Sequence, residues 1–331
     1  MEAYLPRNRN SSSKPLSQSK YNTLNLHLEV LDSCPHTCAD CFVKRKNKFT
    51  GDDSTFIVNF LKGAEFTEMN EVVFAPTDVF SALNFDEVFN NDFLRENIIK
   101  LFRALTFNTT LKADRRVIIE RMGKLRTLYP GKAFEFFILV DIQQFLKQDP
   151  EYMSWLKERV ELLGDSNVIF TVNIPKKFTY DFTEPARIAN EIFGLNFKYT
   201  PSFFRSSNTN TQIQHLMEWN RVSTINQRVI NYVYDPNFGA HTYTTLVYHE
   251  SKMYWAPCLI DFSFIAANPF IINSFSEIND GKYQEPTGEC KDCPFAIECS
   301  SKGVVALKNH LRFQDCILPD DFKKSVRSGR Y

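Results

Sequence analysis

Short apolar stretches alternate with longer amphipathic stretches along most of the chain. The apolar stretches are rich in β-branched and aromatic residues, which is typical of buried strands, whereas the amphipathic ones carry apolar residues at helical spacing. The predicted strands are 22–30, 71–76, 104–108, 134–141, 167–174 and 195–204. The predicted helices are 54–66, 85–105, 113–129, 151–164 and 184–194. This alternation predicts an α/β fold with a parallel sheet.

The pattern changes after about residue 205. Residues 211–233 predict one longer helix, and 241–258 predict a β-hairpin that turns near Glu250 and Ser251. The chain beyond the hairpin is rich in cysteine and shows only short-range patterns, with little that could form a core of its own. Short segments of this kind usually need a metal or disulfide to fold. We therefore expect a domain boundary near residue 230. The predicted divisions are a disordered tail at 1–21, a first domain at 22–230, a second at 231–318 and a C-terminal tail at 319–331.

Composition narrows the possible functions. The 331 residues include 39 basic and 39 acidic side chains, and this balance does not favour binding to nucleic acid or to a membrane surface. No apolar run is long enough to cross a bilayer, and the polar, Ser-rich first twenty residues do not form a secretory signal. We therefore expect a cytoplasmic protein. In that reducing compartment, its eight cysteines favour metal binding or catalysis over disulfides.

Three of the cysteines follow the first predicted strand. Cys34, Cys38 and Cys41 form a C-x3-C-x2-C motif at the carboxyl end of that strand, where parallel α/β folds gather their reactive groups. Iron–sulfur clusters are held by cysteine thiolates, normally four, so three thiolates leave one metal with an open coordination position, as a catalytic metal requires. The alternative is a zinc site completed by His36 or a remote residue, although structural zinc usually has a second matching cysteine pair nearby.

The C-x3-C-x2-C motif resembles the signature of the radical S-adenosylmethionine (SAM) superfamily. The resemblance implies a TIM-like partial (β/α)6 barrel, in which Cys34, Cys38 and Cys41 ligate three irons of a [4Fe-4S] cluster and SAM chelates the fourth. It also implies that an electron from the cluster cleaves SAM to a 5′-deoxyadenosyl radical, which takes hydrogen from an unactivated carbon. Such an enzyme needs a reductant such as flavodoxin or ferredoxin.

The same resemblance implies contacts to SAM at the ends of several strands. The implied residues are Phe42, Ala75, Pro76, Thr77, Asp78, Asn108, Asp141 and Asn173. The turn after the second strand departs from the Gly-Gly-Glu-Pro pattern of the family, because the glycine pair is absent and Asp78 follows the proline instead of preceding it. An ordinary proline turn with an Asx cap is the alternative there. Asp141 and Asn173 have turn roles as their alternative.

The remaining cysteines lie near the C-terminus. Cys290, Cys293 and Cys299 form a C-x2-C-x5-C run that is followed by Cys316. This arrangement resembles the last part of the SPASM extension of radical SAM enzymes that modify peptides and proteins, and it implies an auxiliary [4Fe-4S] cluster with four thiolate ligands. A further SPASM cysteine is missing, since Gly303 occupies its position. A zinc knuckle is the alternative.

Cys258 follows the predicted hairpin and matches one ligand of a second auxiliary cluster, whose other ligands are not visible in the sequence. It has three interpretations: a buried core thiol, a ligand in place of Cys316, or a thiol beside the substrate. A thiol beside the substrate would donate a hydrogen atom to a carbon radical, which is the chemistry of a peptide epimerase. Oxidation of the radical to form a crosslink is the competing outcome.

The leading hypothesis is a radical SAM enzyme that modifies a peptide or a protein side chain by crosslinking, oxidation or epimerisation. One alternative within the same chemistry is a radical SAM enzyme that acts on a small molecule or on RNA, although the neutral net charge argues against RNA. An alternative from another class is a non-catalytic protein with two zinc sites on an α/β scaffold.

Overall fold

The computed structural model describes residues 23–32, 35, 49–62, 68–75, 77–174, 183–201, 243–256, 271–274 and 291. Its strands are β1 Thr23–Glu29, β2 Glu68–Ala75, β3 Ala104–Thr109, β4 Ala133–Leu139, β5 Asn167–Ile174, β6 Asn196–Pro201, β7 Tyr243–His249, β8 Lys252–Ala256 and β9 Ile271–Ile272. Its α-helices are α1 Gly51–Leu61, α2 Phe85–Phe89, α3 Asp92–Asn97, α4 Arg115–Leu128, α5 Ile142–Lys147, α6 Pro150–Glu161 and α7 Thr183–Ile188. A 3-10 helix covers Ile99–Leu101, and a π-helical turn covers Ala189–Phe193.

All nine described strands belong to one sheet with the order β6-β5-β4-β3-β2-β1-β7-β8-β9. Strands β1 to β6 pair in parallel in sequence order, and β7 adds in parallel to the other side of β1. Strands β8 and β9 continue the sheet in antiparallel fashion. The six predicted βα strands and the parallel α/β architecture are confirmed. Within the described ranges the barrel is open, with β6 and β9 at its edges.

The hairpin prediction is also confirmed. Strands β7 and β8 are joined by a two-residue turn at Glu250 and Ser251, whose φ angles are 45° and 58°. Two positive φ angles in a two-residue loop match the right-handed twist of the flanking strands. The predicted helix over 211–233 lies outside the described residues.

Two helix predictions were wrong in detail. The stretch 85–105 was expected to be one helix, but it divides into α2, α3 and the 3-10 helix. Asn91 breaks it, because its side-chain Oδ1 accepts a hydrogen bond of 2.8 Å from the N–H of Leu94 and starts a new helix there. The stretch 184–194 remains α-helical only as far as Ile188, after which the π-helical turn follows.

Short polar side chains start most of the helices that flank the sheet. Thr50 and Asp53 form a reciprocal capping box at α1. Asp114, Asp141 and Asp149 cap α4, α5 and α6 by accepting hydrogen bonds from backbone N–H groups in the first turn. Among the described residues, no helix has both the length and the apolar character needed to span a bilayer.

The sheet has two chemically different faces, and β1 shows the difference most clearly. Its leucines at 24, 26 and 28 are fully buried on one face, and register places Phe74 of β2 and Phe107 of β3 on that same face. The ring of Phe89 in α2 contacts both phenylalanines, so helices pack on this side. The opposite face of β1 carries Thr23, Asn25, His27 and Glu29.

Phe107 lies at the centre of the aromatic packing between sheet and helices. Its side chain is fully buried, and its ring centroid lies 5.2–6.2 Å from those of four other phenylalanines. Those neighbours are Phe74, Phe89, Phe134 and Phe136. Truncation there would leave a cavity between two layers.

We expect Phe107→Ala to lower the free energy of unfolding by about 3–5 kcal/mol, because it removes buried apolar surface and leaves a cavity. Chemical denaturation monitored by circular dichroism measures the change. The control is Ile119→Ala on α4, where the side chain is half exposed and the expected change is within about 0.5 kcal/mol. Equal effects of the two substitutions would contradict this description of the core.

Candidate functional site

Polar side chains cover the face of the sheet opposite the leucines. In the strand register, one row of side chains crosses this face. The row runs from His27 of β1 through Val73 of β2 and Thr106 of β3 to Glu135 of β4. Hydrogen bonds cross the strands, including one of 2.8 Å from the Thr106 hydroxyl to the carboxylate of Glu71. Thr106 and His27 are buried on this face, whereas Asn25, Glu71 and Glu135 are partly exposed.

All eight cysteines, together with Phe42 and Pro76, lie outside the described residues. The described backbone nevertheless reaches both sides of the first cysteine motif. Apart from Pro35, it stops at Asp32 after β1 and resumes at Phe49, directly before α1. The motif therefore connects the carboxyl end of the central strand β1 to the start of α1, which is the position that the sequence predicted.

Asp53 links the start of α1 to the β7–β8 hairpin. One of its carboxylate oxygens accepts hydrogen bonds from the N–H and hydroxyl of Thr50 at 2.7 and 2.8 Å. The other accepts from the hydroxyl of Tyr248, and from that of Ser251 at 3.3 Å. Burial, and secondly the nearby Asp53 carboxylate, raises the pKa of Tyr248, so the phenol stays a donor. The backbone that follows the cysteine motif is thereby tied to the hairpin.

Asp78 occupies the loop after β2 and is buried. Its Oδ1 accepts hydrogen bonds from the N–H of Phe80 at 2.9 Å and the hydroxyl of Thr109 at 3.1 Å. Its Oδ2 accepts from the N–H and hydroxyl of Thr110 at 2.6 and 2.7 Å. The carboxylate thus joins the loops after β2 and β3 with four hydrogen bonds. The bond to the N–H of Phe80, two residues on, forms an Asx turn. It is not a cap of the helix that follows, because α2 begins only at Phe85.

Thr77, beside Asp78, has the opposite character. Its side chain is buried, and within the described part of the chain its hydroxyl oxygen has no hydrogen-bond partner. A buried hydroxyl without a partner carries a free-energy cost, which a bound ligand with a polar group would remove. Of the predicted contacts in this turn, Thr77 is therefore the one whose side chain is available to a ligand.

The other predicted contacts lie at strand ends, as expected, but are not brought into one cluster by any described contact. The backbone carbonyl of Asn108 accepts from the N–H of Val79 at 3.0 Å, and that of Ala75 accepts from Leu31 at 3.0 Å. Asp141 is exposed and uses its carboxylate to cap α5, which is its alternative turn role. The backbone of Asn173 pairs with Thr200 of β6.

The structure adds a pair that sequence reasoning missed. Glu29 ends β1 and His249 ends β7, and their side chains approach to 3.2 Å between Oε2 and Nδ1. Both are largely shielded from water, with side-chain exposures of 6% for Glu29 and 14% for His249. The alternation along β1 places Glu29 on the polar face, but the sequence gives no sign that β7 lies beside β1. The contact links the carboxyl ends of the neighbouring strands β1 and β7.

Strand β8 leads away from this edge of the sheet. Ala256 at its end pairs with Thr245, which in turn pairs with Asn25 near the start of β1. The chain therefore approaches Cys258 from the amino end of the parallel strands, whereas the first cysteine motif starts at the carboxyl end. The role of Cys258 stays a prediction.

Comparison with known proteins identifies the fold. No protein-family profile and no curated protein sequence matches the chain. Among solved structures, anSMEcpe with bound AdoMet and the Cp18Cys peptide matches with a TM-score of 0.52 at 11% identity, over 92% of this chain and 95% of that one. SuiB of Streptococcus suis, bound to the precursor peptide SuiA, matches with a TM-score of 0.50 at 12% identity, over 90% of this chain and 76% of that one.

Both of these proteins are radical SAM enzymes that modify peptides. At identities this low the likeness establishes the fold, and the chain has the α/β fold of that class, with a mostly parallel sheet. The fold that the cysteine motif implied is confirmed to this extent.

We expect Asp78→Ala to lower the free energy of unfolding by about 3 kcal/mol, because four buried donors lose their acceptor. Thr77→Val in the same loop is the matched control. It is nearly isosteric and removes a hydroxyl without a protein partner, so stability should stay within about 1 kcal/mol of the parent or rise. Urea denaturation of both variants measures the difference. An unchanged free energy of unfolding in Asp78→Ala would show that the hydrogen bonds of Asp78 do not hold the two loops together.

Proposed function

We propose that the protein is a radical SAM enzyme that modifies a peptide or a protein side chain. The observation that carries this proposal is the place of the C-x3-C-x2-C motif, between the end of β1 and the start of α1 in a sheet of the radical SAM type. Three thiolates at Cys34, Cys38 and Cys41 are the donor set that suits a [4Fe-4S] cluster with one open iron. When bound, the cluster supplies the electron that cleaves SAM to a 5′-deoxyadenosyl radical.

The described residues are compatible with SAM at the same edge of the sheet. Thr77 offers a buried hydroxyl without a protein partner in the loop after β2. Asp78 holds that loop against the loop after β3, so the backbone around Thr77 is fixed before a ligand binds. A site that is ordered in advance loses less entropy on binding. Among the predicted contacts, we assign binding of SAM to Thr77 and support of the loop to Asp78.

A peptide is the proposed substrate class. SuiB was crystallised with its precursor peptide SuiA, and anSMEcpe with the Cp18Cys peptide. The partly exposed polar side chains on one face of the sheet support the proposal, because Asn25 and Glu71 carry donors and acceptors of the kind that peptide groups need. An auxiliary cluster at Cys290, Cys293, Cys299 and Cys316, and a hydrogen-donating thiol at Cys258, remain predictions from the sequence.

Anaerobic reconstitution with iron and sulfide should load about eight irons per chain, four for each cubane cluster, and reduction should then convert SAM to 5′-deoxyadenosine. Alanine at Cys34, Cys38 and Cys41 together should leave about four irons and abolish cleavage, because the open iron is lost. Metal analysis and liquid chromatography measure the two results.

Alanine at Cys290, Cys293 and Cys299 together is the matched control for the cysteine substitutions. It should also lose about four irons but should retain cleavage of SAM, because the first cluster keeps its ligands. Full iron content in the parent without cleavage of SAM would contradict the proposal. Stoichiometric zinc with no iron–sulfur absorbance after anaerobic purification would favour the zinc-binding alternative.

Titration of SAM against the parent and a Thr77 variant tests the assignment of Thr77. Thr77→Val should weaken binding of SAM by about fivefold, since one hydrogen bond is worth roughly 1 kcal/mol. Equal affinity in the two proteins would contradict the assignment. Iron content and stability should match the parent.

A further inference from the structure

The backbone directly after β1 is held by a side chain from the loop that precedes α2. The Nδ2 of Asn84 donates a hydrogen bond of 2.8 Å to the carbonyl of Val30, and its Oδ1 accepts one of 2.7 Å from the N–H of Asp32. Asn84 is buried, so water competes poorly for these groups. One carboxamide thus satisfies the two backbone groups that flank Leu31.

Asn84 stands at the N-cap of α2 but does not cap it. Asparagine is among the most favourable residues at an N-cap, where its side chain usually accepts a hydrogen bond from the first turn. The Asn84 side chain makes no such bond, and α2 starts without one. By contrast, Asn91 caps α3 in the usual way, through its bond with the N–H of Leu94. The side chain of Asn84 makes its hydrogen bonds with the backbone at the end of β1 and not with its own helix.

A second contact holds the same segment independently. The N–H of Leu31 donates a hydrogen bond of 3.0 Å to the carbonyl of Ala75, at the end of β2. Residues 30–32 are therefore fixed by Asn84 and by β2, although β1 itself ends at Glu29. Asp32 is two residues before Cys34 in the sequence.

We propose that Asn84 is a positioning residue for the first cluster, because it fixes the backbone that delivers Cys34. The proposal rests on the radical SAM function proposed above. A cluster with three protein ligands needs all three thiolates in one geometry, and groups that orient metal ligands typically change metal affinity or activity by 10–100-fold when they are removed. Asn84 does so through the backbone without touching the cluster.

Three full-length variants test the proposal. Asn84→Ala removes both hydrogen bonds, whereas Asn84→Asp keeps the acceptor for the N–H of Asp32 and loses the donor to Val30. Asn91→Ala is the matched control, because it removes a half-buried helix cap and a 3.3 Å bond to Ser54 at a side chain for which no contact to residues 30–32 is described. Urea denaturation of the cluster-free chains gives the loss of stability in each variant, for comparison with cluster retention.

The first measurement is the rate at which the reconstituted proteins lose iron–sulfur absorbance in the presence of an iron chelator. To isolate the first cluster, all variants carry alanine at Cys290, Cys293 and Cys299. We expect Asn84→Ala to lose the cluster at least about tenfold faster than the parent, Asn84→Asp to fall between them, and Asn91→Ala to match the parent. The second measurement is hydrogen exchange at the Asp32 amide in the cluster-free chain, which should be at least about tenfold faster in Asn84→Ala alone.

The outcomes separate this role from the proposed function. A parent that binds no cluster overturns both. A parent that binds the cluster and cleaves SAM, with Asn84→Ala retaining the cluster as firmly as Asn91→Ala, overturns only the role of Asn84. Unchanged exchange at Asp32 in Asn84→Ala likewise overturns it, because the hydrogen bonds would then not restrain this backbone.

Discussion

The pairing of β1 on both sides, with β2 and with β7, sets the two faces of the sheet and the position of its carboxyl edge. It buries Leu24, Leu26 and Leu28 against the helices and turns the polar residues of the strand to the opposite face. The hydrogen bond from Tyr248 to Asp53 of α1 is a second link between the first part of the chain and the hairpin, across 195 residues. Because β1 is held from both sides, its carboxyl end is a fixed point from which the first cysteine motif starts.

The buried polar groups near that edge are of two kinds. Some have hydrogen-bond partners within the protein, and at least one has no described partner and is the group that we propose for a ligand. The carboxylates of Asp53 and Asp78 are taken up by hydrogen bonds that join separate loops. The Thr77 hydroxyl has no partner among the described residues. This division explains how the turn after β2 departs from the expected glycine-rich pattern: side-chain hydrogen bonds, and not glycine, set the shape of the loop. The Asp78 carboxylate carries four hydrogen bonds within the protein, and its neighbour Thr77 is the contact that we propose for a ligand.

The sequence predicted what depends on local periodicity. The runs at 104–108 and 167–174 gave strands within a residue of those observed, and Glu250 and Ser251 gave the hairpin turn. The prediction was wrong where a side-chain hydrogen bond interrupts a periodic pattern. At Asn91, an N-cap divides a helical pattern that is otherwise continuous. The prediction missed Asn84, Glu29 and His249 because their partners lie 52 or more residues away and depend on strand order. The cysteine spacing was informative because metal ligands close together in sequence report a site without any knowledge of the fold.

If Cys34, Cys38 and Cys41 hold a cluster with one open iron, that iron should bind SAM directly. Electron–nuclear double resonance on the reduced protein, with SAM labelled with nitrogen-15 at the methionine amino group, detects such a bond. We expect a nitrogen-15 coupling that is absent with unlabelled SAM and absent from the variant with alanine at these three cysteines. A parent protein that holds a reduced cluster but shows no coupling to the labelled amino group would rule out direct binding of SAM to the cluster.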